Sequence, residues 1–142
     1  MKHSILYILV FIIAACSTTM KKDLTVQNTE ALSGLVIPEN VKKFSANSES
    51  AMNLFVYAKF ELAEENVNDF LLVNKFERND DIFNDFSAYN QHMQWWNFKE
   101  EMKNPSYYSC KGKKGKWKTD LSVAISQVGG KALIYVLYFE EI

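Results

Sequence analysis

Two glycines, Gly129-Gly130, separate two long runs of apolar residues, and this pair narrows the fold more than any other feature of the chain. In a two-residue hairpin turn both central positions can take positive φ, which glycine adopts without steric penalty. The run before the pair, Trp117 to Val128, alternates Leu121, Val123 and Ile125 with Asp120, Ser122 and Ser126. A period of two marks a strand with one buried face. The run after it, Lys131 to Phe139, reads KALIYVLYF and is apolar on both sides, as a strand at the centre of a sheet would be.

Upstream segments extend this hairpin into a sheet. Val41 to Ala46 and Ala51 to Leu62 flank the polar NSES, which predicts two strands joined by a turn. The second run places Met52, Leu54, Val56, Ala58, Phe60 and Leu62 on one face, against Asn53, Phe55, Tyr57, Lys59 and Glu61 on the other. Ser106 to Cys110 predicts a fifth strand, ahead of the turn KGKKGK. Between these segments the period changes. Ala63, Val67, Phe70, Leu71 and Asn74 recur at helical spacing, with Glu64 and Glu65 placed to favour the helix dipole, so residues 63–75 predict the main helix. Ile82, Phe86, Tyr89, Met93 and Trp96 keep a similar rhythm, and a short helix is expected near 81–88, followed by an aromatic-rich connection. Hydrophobic residues make up 48% of the chain and aromatics 14%, enough for a packed core and too much for wholesale disorder. The expected architecture is α+β: an antiparallel sheet of about five strands with one main helix and one short helix packed on one face, forming a single domain over residues 37–142.

The first residues follow another logic. After Met1-Lys2-His3-Ser4, residues 5–15 read ILYILVFIIAA without a charge. A membrane-spanning helix needs about twenty such residues, so this run suits the apolar core of a secretory signal instead. The tetrapeptide Ile13-Ala14-Ala15-Cys16 resembles the lipobox of bacterial lipoproteins. The resemblance implies a diacylglyceryl group on the Cys16 sulfur, cleavage of the leader (residues 1–15) before it, and acylation of the new N-terminus by a fatty acid such as palmitate. Two or three chains hold a protein firmly at a bilayer, whereas one binds only marginally. Ser17, in place of the Asp that commonly signals inner-membrane retention, implies transport to the outer membrane with the domain facing the periplasm. Residues 17–36 are mostly polar, and with Cys16 they are expected to form a lipidated flexible tether with a reach of about 25 Å. Lys21 and Lys22 read as a solvated pair. The order of segments over residues 37–140, with Trp95-Trp96 ahead of the final strands, is similar to small lipoproteins without an assigned activity, and implies no catalysis.

Candidate chemistry is sparse. His92 has no second histidine and no cysteine at ligand spacing, so no metal site is expected. Cys110 would be an unpaired thiol once Cys16 is lipidated; a structural thiol is the favoured reading over a Cys-His nucleophile with His92. Glu64-Glu65 and Asp80-Asp81 read as solvated or capping carboxylates rather than a glycosidase pair. QVGGK lacks the spacing of a phosphate loop, and no cofactor is expected. Lys111, Lys113, Lys114 and Lys116 crowd the KGKKGKWK segment with Trp117, a pattern that can contact anions but also keeps a sheet edge soluble. Trp95, Trp96, Tyr107 and Tyr108, extended by Phe55 and Tyr57, are the candidate partner surface, since Trp and Tyr anchor many interfaces. A net charge of −1 gives no general pull toward nucleic acid or anionic lipid. The sequence thus predicts a membrane-anchored, periplasm-facing lipoprotein that is not an enzyme and binds a protein partner in the envelope, as an accessory subunit or an immunity-type protein. The alternatives are a small-ligand or polyanion binder using the lysine-rich hairpin and, further behind, a hydrolase.

Overall fold

The computed structural model describes residues 19–21, 23–88 and 93–142. Over these residues one antiparallel sheet contains β1 (Thr19–Lys21), β2 (Lys42–Ser50), β3 (Leu54–Ala63), β4 (Glu77–Arg78), β5 (Ser106–Lys114), β6 (Trp117–Val128) and β7 (Lys131–Glu141). Four short helices accompany it: α1 (Val26–Ser33), α2 (Val67–Val73), α3 (Phe83–Ala88) and α4 (Phe98–Glu101). Across the sheet the order is β1-β2-β3-β7-β6-β5-β4. Among the described residues no helix is long and apolar enough to cross a membrane.

Seven strands and four short helices replace the expected five strands with one main and one short helix on one face. The additional strands, β1 and β4, are three and two residues long. Neither is long enough to show a period of two. The predicted main helix resolves into a 3-10 turn at Glu64–Asn66 and the seven-residue α2. The polar NSES belongs to β2 rather than to a turn: Asn47 and Ser48 are buried, and residues 51–53 make the reversal.

The stretch expected to be a flexible tether is folded from Thr19 onward. Residues 19–21 pair with Ser48–Ser50 of β2, and Leu24, Leu35 and Ile37 are buried in the core. Thr25 caps α1 by accepting the Asn28 N–H at 3.1 Å, and Gly34 ends it at φ 72°, with its N–H on the Glu30 carbonyl. The buried face of this helix is Thr29 and Ser33, whose hydroxyls donate to the helix's own carbonyls at Thr25 and Thr29. With its inward polar groups satisfied locally, the helix needs no apolar stripe. Cys16, Ser17, Lys22 and the leader lie outside the described residues.

Helices cover both faces of the sheet. On one, Val56, Phe60 and Leu62 of β3, Leu121, Val123 and Ile125 of β6 and Ile134 and Val136 of β7 pack with Leu35, Val67 and Phe70. On the other, Tyr57, Ala124, Tyr135 and Leu137 pack with Phe86, Trp96, Phe98 and Met102. The central strand β7 supplies side chains to both cores, which is why its sequence is apolar throughout. Lys59 ties the second layer down: its Nζ donates to the Trp95 carbonyl at 2.7 Å and to Glu101, which also accepts the Tyr135 hydroxyl at 2.6 Å.

The strand register gives the sheet two distinct ends. One carries the start of β1, the β2–β3 turn at 51–53, the β5–β6 turn at 115–116 and Ile142. The other carries the Gly129-Gly130 turn and the last residue of β3.

Candidate functional site

The six aromatic residues expected to form a partner surface do not make one face. Trp96 is 1% exposed and packs edge-on against Tyr135 at 4.7 Å, with Tyr57 and Phe86 around it. Tyr57 and Tyr107 are buried in the same layer, and Trp95 is half-buried against Trp96. Tyr108 points to the opposite side of the sheet, under the Arg78 guanidinium. In a strand, adjacent side chains point to opposite faces, so two neighbouring tryptophans could not share one core. Trp95 and Trp96 lie instead in a turn, where consecutive side chains can share one core.

Phe55 of that set lines a hollow. Among the described residues, the strands near the 115–116 end of the sheet line a concavity of about 260 Å³. Its walls are Phe55, Leu137 and Phe139, with Asp120 and Ser122 on the floor and Asp85 of α3 at the rim. Phe55 and Phe139 are directly paired across β3 and β7, with ring centroids 5.0 Å apart. Ser122 donates to the Asp120 carboxylate at 3.4 Å. Partial burial, and secondarily the nearby Asp120 charge, pushes the Asp85 carboxyl above the usual range. Two carboxylates beside two phenyl rings form a cradle for a cationic group carried on an apolar stem, such as an arginine or lysine side chain.

Asp85, Asp120, Ser122 and Phe139 were not singled out by their residue types. One signal could have found part of the set. A two-residue turn at Gly129-Gly130 pairs residues equidistant from it, and this places Phe139 opposite Asp120.

The four lysines share the β5–β6 hairpin but not one face of it. Lys111, Lys113 and Lys116 are exposed, and Lys116 Nζ sits 4.4 Å from the centre of the Trp117 ring. Lys114 turns to the other face, 3.6 Å from Glu140, which also accepts the Tyr138 hydroxyl at 2.7 Å. Cys110 is a half-buried free thiol in a hollow with Lys75, Arg78 and Lys111. Glu64 and Glu65 are exposed on their 3-10 turn, and Asp80 is paired with Arg78 at 2.8 Å. His92 lies outside the described residues. Among the described residues no group of three or more His, Cys, Asp or Glu could hold a metal ion. Comparison of the chain with protein-family models, curated proteins and solved structures returns no match.

Proposed function

We propose that this protein is a lipid-anchored, non-catalytic binding module of the bacterial envelope. It takes a basic side chain of a protein partner in the concavity between Phe55, Phe139, Asp85 and Asp120. The observation that carries the binding role is that concavity: two carboxylates beside two phenyl rings recognise a guanidinium or ammonium by charge and by ring together. Supporting the anchor, Ile13-Ala14-Ala15-Cys16 stands directly ahead of the folded residues, with the first strand beginning at Thr19. The apolar run of residues 5–15 then serves as a removable leader, and Cys16 carries the lipid. The envelope-accessory and immunity-type readings share this arrangement and differ only in the partner.

A photo-crosslinking residue at Phe139 tests the site in cells. It is expected to trap one defined envelope protein, and Asp120→Asn should reduce the yield, while the same residue at Val128, at the far end of the sheet, should trap none. No adduct at Phe139, or equal adducts at both positions, would refute the binding surface. Incorporation of labelled palmitate that survives Cys16→Ser would refute the anchor.

A further inference from the structure

We infer that the sheet stands end-on upon an anionic lipid surface, with the 115–116 end downward and the lysine hairpin in contact with the headgroups. This rests on the lipid-anchor reading of Cys16. Two residues, Ser17 and Thr18, separate Cys16 from Thr19 at the start of β1, and an extended chain covers at most about 3.5 Å per residue. The start of β1 therefore lies within roughly 11 Å of the lipidated residue.

The same end gathers what a bilayer surface would receive. Met52 at the β2–β3 turn is 74% exposed, and Met20 of β1 and Ile142 after β7 are exposed beside it, with the Ile142 N–H 3.3 Å from Asn53 Oδ1 in that turn. The lysine-rich β5–β6 hairpin ends there too. Of the acids nearby, Glu140 is paired with Lys114 at 3.6 Å, Glu141 stands across the ladder from Lys118, and Asp120, across from Lys111, faces the concavity. Glu49 faces Met20 across β1. Lys113 and Lys116 remain with no acid across the ladder, and Lys113 directly opposes Lys118. Like charges at that distance repel, and anionic headgroups relieve the repulsion. Each lysine held near an anionic surface strengthens the association about fivefold. The opposite end is out of reach of that field, because the twelve residues of β6 span about 40 Å, several Debye lengths at physiological salt.

The test uses the full chain expressed with its own leader, extracted, checked by mass for lipid on Cys16 and reconstituted into vesicles. In a Cys110→Ser background, an environment-sensitive fluorophore is attached at Lys116→Cys, Met52→Cys or Lys131→Cys, and vesicles carry nitroxide-headgroup lipid. Matching circular dichroism and melting curves show that each variant is folded. Strong quenching at 116 and 52 and none at 131, deepened by phosphatidylglycerol and weakened by salt at 116, is the expected result. Equal quenching at 116 and 131, or none at either, overturns the orientation while the measured lipid on Cys16 leaves the anchor standing. Quenching at 116 that ignores phosphatidylglycerol overturns the headgroup contact. A bare Cys16 overturns both. Binding of a soluble anionic glycan at 116 without vesicle quenching also overturns the proposal, assigning the hairpin to a free polyanion.

Discussion

Replacing Trp96 by alanine tests the second core most directly. Its indole is 1% exposed, lies edge-on to Tyr135 at 4.7 Å and Tyr57 at 5.8 Å, stacks with Phe86 at 6.4 Å and directs its N–H toward the Phe86 carbonyl. An aromatic side chain buries roughly 150–250 Å², worth about 4–6 kcal/mol as an upper figure at ~25 cal/mol/Å². Substitutions of buried Trp or Phe by Ala cost about 3–5 kcal/mol. At a urea m-value near 2 kcal/mol/M, a loss of about 4 kcal/mol lowers the unfolding midpoint by about 2 M. Trp95→Ala removes a half-buried ring and should cost about 1–2 kcal/mol, within the ordinary range for single substitutions. Urea titrations followed by circular dichroism compare the two. If Trp96→Ala shifts the midpoint no further than Trp95→Ala, Trp96 does not fill this core, and the placement of the aromatic connection is wrong.

Leu24→Ala should cost about 2–4 kcal/mol in the same titration, because Leu24 is buried where a tether was expected; a change within about 0.5 kcal/mol would return residues 19–37 to an unpacked linker. Asp85→Asn should raise the melting temperature at pH 7 relative to pH 4. The folded Asp85 carboxyl titrates above its unfolded value, so the native state holds the extra proton between the two, and stability falls as pH rises through that window. Asparagine removes this loss, and a pH dependence unchanged from the parent would refute the raised titration of that carboxyl.

The central hairpin was legible because its signal is local: Gly129 and Gly130 take φ of 62° and 78°, and the flanking alternation sets the register. Burial on both faces is also written in the sequence, in the unbroken apolar run of β7, which requires a covering layer on each side of the sheet. Helix α1 was hidden for a physical reason, since Thr29 and Ser33 face inward and satisfy their hydroxyls on the helix itself. Aromatic richness misled in the other direction. Trp96, Tyr57 and Tyr107 are large because they fill a layer between sheet and helices, not because they meet a partner. The concavity joins Asp85 to Asp120 through tertiary packing of α3 against the sheet, where Phe83 and Phe86 meet Tyr107 of β5, and no spacing along the chain announces that meeting.

Strand β7 lies between β3 and β6, with three strands on either side of it. The first three strands and the next three share no ladder until Lys131–Glu141 slots between them, so this segment is the keystone that turns two separate ribbons into one body. A lesion that keeps this segment out leaves β3 and β6 each with a bare edge, and the two ribbons joined only by side-chain contacts such as Lys59 with the Trp95 carbonyl.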